Sequence, residues 1–286
     1  MPMRLSPLTA SALLLLLALS PAHAEPPAKE LFGAVKEPAE LPPRVHGFYA
    51  KGCLAGADPL PADGPAWQVM RPSRNRAWGH PAMIAFLEKF AHTAQRATGW
   101  PGLLFGDIAQ PRGGPMKTGH ASHQIGLDAD VWLTPMPNRT LSAQEREDMA
   151  AADMVRDDKL DVSQNWSKAQ FALVKAAASQ PQVERIFVNA AIKKALCREA
   201  NGDRSWLNRV RPMYGHNWHM HIRIACPAGE TECQPQDPVP PGDGCGKELD
   251  WWFTDAVLHP RPGGKPKPPL QMSALPAACR AVLNAP

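Results

Sequence analysis

The segment YGHNWHMHIRI, residues 214–224, places three histidines, His216, His219 and His221, within six positions. A second segment, GHASHQIGLDADVWL, adds His120, His123, Asp128 and Asp130. Imidazole and carboxylate are common protein ligands of zinc, and a catalytic zinc typically takes three of them and leaves a fourth position open. His219 and His221 are separated by a single residue in an alternating stretch. On a strand both rings project from one face, with Cα atoms roughly 6.6 Å apart, while Met220 and Ile222 turn to the core. His123 precedes Asp130 by seven residues, and Gly126 interrupts the approach. His123 is therefore expected on a loop and Asp130 on a strand. A hard carboxylate beside borderline imidazoles suits zinc better than calcium or copper. Each cluster alone has a plain alternative, a hydrogen-bonded core histidine or a solvated aspartate. Together they predict one metal ion between them. Spacing leaves open which of His219 and His221 binds the ion and which acts as a base.

The elements that must position these residues follow from periodicity. Met83, Phe86, Leu87, Phe90 and Ala94 recur at helical spacing behind Pro81, predicting a helix to about Thr98. GLLFGDIA, residues 102–109, is a short buried strand, followed by the glycine- and proline-rich loop QPRGGPMKTG. LDADVWL alternates, with Asp128, Asp130 and Trp132 on one face. Ser142 with Glu145 predicts a capped helix to about residue 155, and Ser167 with Gln170 predicts another. VERIFV is a strand, residues 190–199 a helix, and MHIRIAC a strand. Residues 46–79 and the tail from Pro227 are loop-like. Without a strict βαβ rhythm, the fold class is α+β: a single domain with a central antiparallel sheet flanked by helices and long disulfide-tied loops.

The sequence has 286 residues and a net charge of +4, too mild to indicate nucleic acid. Residues 1–24 have the form of a cleavable signal peptide, with Arg4, an apolar run from Ala10 to Leu19 and the small-x-small close Ala22-His23-Ala24. The run is too short to span a bilayer, and no later segment is long enough. Export is expected. Residues 25–45 form an extended N-terminal arm, and residues 46–286 the domain proper, with proline-rich C-terminal loops. The six cysteines, Cys53, Cys197, Cys226, Cys233, Cys245 and Cys279, contain no CxxC pair and read as disulfides of an exported protein. Six cysteines allow fifteen pairings, and sequence alone does not choose among them.

The stretches GDIAQPRGGPMKTGHASHQIGLDADVWL, MYGHNWHMHIRIACP and RPSRNRAWGHP resemble the penicillin-insensitive murein endopeptidases, across most of the chain. That family stands in a wider group with lysostaphin-type peptidases, D-Ala-D-Ala metallopeptidases and the hedgehog signalling domain. The resemblance implies zinc ligands at His123, Asp130 and His221, with His120 near or on the metal. It implies His219 as catalytic base and His216 as a further active-site histidine. It implies the pairs Cys53–Cys279, Cys197–Cys245 and Cys226–Cys233. It further implies a periplasmic enzyme that hydrolyses D-alanyl-meso-diaminopimelyl cross-links of peptidoglycan, without a serine for β-lactams to acylate. The alternatives are a D,D-carboxypeptidase or D-Ala-D-Ala dipeptidase, and a non-catalytic zinc-stabilised wall-binding module. The expected partner is the cross-linked muropeptide. Arg71, Arg74, Arg76, Arg112 and Lys117 are expected to face its carboxylates, so that Arg112→Glu would raise KM more than it lowers kcat.

Overall fold

The computed structural model describes residues 25–260, 263 and 268–286. The expected signal segment, residues 1–24, lies outside the described residues. In chain order the strands are β1 (Arg44–Phe48), β2 (Lys51–Ala55), β3 (Asp58–Pro59), β4 (Asp63–Gly64), β5 (Trp67–Val69), β6 (Trp78–Gly79), β7 (Leu103–Phe105), β8 (Asp128–Trp132), β9 (Val183–Val188), β10 (Val210–Pro212) and β11 (His219–Ile224). The helices are α1 (Ala28–Phe32), α2 (Pro81–Thr98), α3 (Ala143–Asp148), α4 (Lys168–Ala178), α5 (Ala190–Glu199), α6 (Lys247–Asp250), α7 (Asp255–Leu258) and α8 (Ala278–Asn284).

Seven strands form one sheet in the order β10-β9-β11-β8-β7-β5-β4. The sheet is mainly antiparallel, with parallel pairs at β10/β9 and β5/β7. At its centre β11 lies between β9 and β8. The β8 register sets His221 opposite Asp130, Arg223 opposite Asp128 and His219 opposite Trp132. Side chains alternate across a strand, so these six share one face. The other face presents Ala129, Val131, Met220 and Ile222, which join Met83, Leu87 and Phe90 of α2 and Leu173, Val174 and Ala177 of α4 in one core.

Local chemistry sets the helix ends. Pro81 occupies the first position of α2, where its missing N–H costs little, and the helix closes on Gly99 at φ +74°. Both expected capping boxes form, Ser142 with Glu145 and Ser167 with Gln170. Yet α3 stops at Asp148 instead of continuing to residue 155. The Arg71 guanidinium donates to the carbonyls of Arg146, Glu147 and Met149. It takes acceptors that further helical turns would need.

Three other expectations change. Residues 46–79 carry the short strands β1 to β6 between turns and loops. The N-terminal arm is not simply extended: α1 within it packs Ala28 and Phe32 against Cys53, Ala55, Met272, Cys279 and Val282 in a second small core. The C-terminal tail includes α6, α7 and α8. All three expected disulfides are present, Cys53–Cys279, Cys197–Cys245 and Cys226–Cys233. Cys53–Cys279 spans 226 residues and ties α8 to β2.

The loop cations also differ from expectation. Arg112 is buried, and its guanidinium donates to the backbone oxygens of Glu37, Val282, Leu283, Ala285 and Pro286. It clamps the N-terminal arm to the C-terminal segment and cannot meet a substrate. Arg76 is held by Asp107 and Thr118, and Lys117 pairs with Glu30. Only Arg71 and Arg74 line the cavity beside the histidine clusters. Arg112→Glu is therefore expected to act on stability. Stranding several carbonyls and burying a carboxylate should cost about 3 kcal/mol or more. Urea unfolding would report this, and an unshifted midpoint would contradict the clamp.

Candidate metal centre

The two histidine clusters meet on the polar face of β8 and β11. His221 and Asp130 arrive as a directly opposed cross-strand pair. His120 and His123 arrive from the loop between β7 and β8, which is pinned at several points. Gly106 N–H donates to the Asp130 carbonyl at 2.8 Å, and Asp130 N–H donates to the Asp107 carbonyl at 2.9 Å. His123 N–H donates to Asp128 Oδ2 at 3.0 Å. Gly126, at φ +67°, makes the turn that returns the loop to β8, and a Cβ there would meet Leu54 at 2.4 Å.

The histidine rings differ in how they are held. His123 Nδ1 donates to the Ile108 carbonyl at 2.7 Å, so its Nε2 carries the lone pair, 3.4 Å from Asp130 Oδ1. His221 Nδ1 lies 3.6 Å from the same oxygen, while its Nε2 sits 2.9 Å from Asp128 Oδ1. That oxygen lies off the N–H direction, so the contact is electrostatic and not an aligned hydrogen bond. A carboxylate or carbonyl behind the ring is the usual support of a metal-ligating histidine, and His123 and His221 both have one. His219 has neither: both its ring nitrogens are buried without a partner, with Nε2 3.6 Å from Asp130 Oδ1. His120 Nε2 lies 3.0 Å from Asp107 Oδ2 and 3.4 Å from Asp130 Oδ2. One ligand atom from each of His120, His123 and Asp130 lies within 4.8 Å of the others. His120 thus sits in the cluster with its nitrogen already turned to carboxylates. His216 stands beside His219, its ring 4.8 Å from that of His219 and its Nδ1 donating to the Tyr214 carbonyl. Both His123, at φ +65°, and His216, at φ +56°, hold the left-handed backbone that non-glycine residues seldom adopt. Such strain persists only where surrounding contacts enforce it.

The electrostatics follow from burial. His219 and His221 are each lowered to about 4, chiefly because burial penalises the imidazolium, so both are neutral at neutral pH. For His123, burial acts downward, but the adjacent Asp130 carboxylate outweighs it and the net shift is upward. Asp130 and Asp128 are buried, which acts to raise them, yet both fall below the usual carboxylate range: histidines surround Asp130, and Arg223 with His221 contacts Asp128. Asp107 reaches about 2, since hydrogen bonds from His120 and Arg76 overcome its burial. The face is an anionic, histidine-lined recess, and a cation between His123 and Asp130 would hold both in their deprotonated forms.

All the site residues expected from sequence are here: His120, His123, Asp130, His216, His219 and His221. Three supports went unassigned. Asp128 was visible in the motif but without a role. Arg223, which donates from Nε to Asp128 Oδ1 at 2.7 Å, follows His221 at strand spacing, so period-two alternation was the available signal. Asp107 had none, because only the sheet order brings β7 beside β8.

Cavities open on both sides of the cluster. One of about 180 Å³ is lined by Arg71, Arg74, Asp107, His120, Trp132 and Trp218 among others. The other, of about 440 Å³, is bordered by Phe48, His120, Phe187, Tyr214, His216 and His221 among others.

The chain is similar to known proteins over most of its length. The sequence profile of the family described as penicillin-insensitive murein endopeptidase matches residues 45–284. Proteins of that name from Yersinia enterocolitica and Haemophilus influenzae are 42% and 44% identical to this chain. The first alignment covers 96% of each sequence, and the second 84% of this chain and 82% of the relative. A Klebsiella pneumoniae protein of the same name is 42% identical over 83% of this chain and 85% of its own length. With the family match over residues 45–284 and relatives at 42–44% identity over most of its length, the chain belongs to the penicillin-insensitive murein endopeptidase family.

Proposed function

We propose that this chain is a zinc-dependent murein D,D-endopeptidase of the periplasm that hydrolyses D-alanyl-meso-diaminopimelyl cross-links. The observation that carries the reading is a set of buried polar atoms with no hydrogen-bond partner in the protein. Among the described residues these are His123 Nε2, Asp130 Oδ1, His221 Nε2 and both ring nitrogens of His219, and around Asp130 Oδ1 stand His123 Nε2 at 3.4 Å, His219 Nε2 at 3.6 Å and His221 Nδ1 at 3.6 Å. Buried polar atoms left unpaired are rare and call for an explanation, and a cation bound at this point supplies one. The donors fit zinc: two imidazoles with oriented rings and one carboxylate. His123, Asp130 and His221 are the proposed ligands, with His120 adjoining and tied to Asp107.

Bound zinc would supply Lewis acidity and a water acidified toward neutral pH. The remaining chemistry falls to the side chains. His219, neutral and free of hydrogen bonds, accepts the proton of the attacking water and returns it to the leaving amine. His216, with its Nδ1 proton committed to Tyr214, keeps its ring beside His219 to orient the base or contact the scissile carbonyl. Asp128, anchored by Arg223, positions His221. Cavities on both sides of the cluster suit a chain that continues past the cleaved bond. A carboxypeptidase or dipeptidase would need one closed end. Arg74, exposed though paired with Asp107, borders the smaller cavity as a cation open to a peptide carboxylate, while the Arg71 guanidinium, 5.4 Å from the Trp132 ring centroid, is held by the carbonyls of Arg146, Glu147 and Met149.

Purified cross-linked muropeptide dimers should be converted to monomers, observed by mass spectrometry, while monomeric pentapeptides survive. The reverse preference would favour the carboxypeptidase. A chelator should abolish turnover and zinc restore it, and dimers surviving with zinc-loaded protein would refute the assignment. His219→Ala should retain zinc and lose about 10² to 10⁴ in rate. Loss of the metal in that variant would exchange the roles of His219 and His221. Asp128→Asn should weaken zinc binding about 10- to 100-fold, measured by competition with a chromogenic chelator, and unchanged affinity would remove Asp128 from the support of His221.

A further inference from the structure

Beyond the metal recess, an aromatic shelf lies open. Tyr214 is 57% and Trp251 53% exposed, and Trp252 joins them at the surface. The Tyr214 and Trp252 rings have centroids 4.9 Å apart, and Trp251 and Trp252 5.3 Å apart. Tyr214 and Trp252 border a cavity of about 290 Å³ whose other walls include Lys159, Asn189, Met213 and Leu258, and Trp251 stands beside Trp252 outside it. The segment bearing the tryptophans is anchored. Cys197–Cys245 ties it to α5, Glu248 pairs with Arg211, and the Lys194 ammonium lies 5.0 Å from the Phe253 ring centroid.

We propose that this shelf binds the glycan chain of murein, with the pyranose rings of its N-acetylated amino sugars stacked on Trp251, Trp252 and Tyr214. The proposal rests on the murein reading above. Continuity with the metal recess is its main support: Met213 and Tyr214 line both this cavity and the one containing His120, His216 and His221. A peptide held at the metal remains covalently attached to its sugar chain, and the shelf begins where the recess ends. Chemistry is the second support. A pyranose presents an apolar C–H face ringed by hydroxyls, and it matches the face of a single aromatic ring bordered by hydrogen-bonding groups; Tyr214 and Trp252 are tilted by 57° and Trp251 and Trp252 by 84°, so each ring offers its own face. The Tyr214 and Trp251 carbonyls are engaged by His216 Nδ1 and Thr254 Oγ1. Among the described residues, the Tyr214 hydroxyl and the two indole N–H groups donate to no protein acceptor, which leaves them for sugar oxygens. Exposed aromatic area of this kind marks an interaction surface, and its polar border suits a sugar better than an apolar peptide.

The test compares the parent protein with a Trp251→Ala/Trp252→Ala variant, whose side chains lie at the surface. Peptide-free glycan strands should quench the parent's tryptophan fluorescence saturably and pull the protein down with the polymer, and the variant should lose at least about tenfold in affinity. The ratio of hydrolysis rates on intact sacculi and on sugar-free cross-linked peptide dimers should fall by a similar factor. Absence of glycan binding by the parent, or an unchanged ratio in the variant, overturns the shelf. If neither substrate is cleaved but glycan binding is present and lost in the variant, the endopeptidase reading fails while the shelf stands.

Discussion

The register of β8 against β11 is the constraint on which the site depends. It opposes His221 to Asp130 and Arg223 to Asp128, and places His219 against Trp132. Side chains alternate with a period of two, so a slip of one residue would carry these groups into the core and expose Met220 and Ile222. The register is held from both faces. On one side Ala129, Val131, Met220 and Ile222 are buried with α2 and α4. On the other, Arg223 meets Asp128 through two nitrogens and stacks near Tyr49, 4.0 Å from its ring centroid. Burying a charge without a partner is strongly unfavourable, and the alternative registers would leave Asp128 and Arg223 unpaired.

Around that pair the molecule is organised outward. Asp128 fixes the His123 backbone and contacts His221, so one carboxylate sets the geometry of both proposed histidine ligands. The strained backbones of His123 and His216 sit within loops fastened to strands, which places the rigidity at the chemistry. The disulfides lie further out. They close the C-terminal segments onto β2, α5 and the end of β11, and Arg112 completes the same task through backbone oxygens. A cation in a loop near the motif proved to be a structural clamp.

Much of this is legible in the sequence. The alternation in HMHIRI and LDADVW fixed which residues share a face, and the capping pairs at Ser142 and Ser167 located two helix starts. What stayed hidden was long-range. No local pattern indicates that Arg71 will capture the carbonyls at the end of α3, or that Arg112 will reach residues 282–286. The short strands between residues 44 and 79 were missed because two- to five-residue strands carry little periodicity. Asp107 needed the sheet order, and Arg223 needed only its spacing from His221 to be followed one step further. Spacing does not tell His219 from His221, but their surroundings in the fold differ. Only His221 has a carboxylate behind its ring.

The central claim is that one metal ion sits between the loop and the sheet, held by His123, Asp130 and His221 with His219 outside the bonding shell. Anomalous diffraction at the zinc edge, on crystals of zinc-loaded protein, tests it directly. The account predicts one peak within about 2.0–2.2 Å of His123 Nε2, an Asp130 carboxylate oxygen and His221 Nδ1, with no His219 nitrogen at that distance. A peak bound by His219 in place of His221, or no peak in the recess, would contradict it.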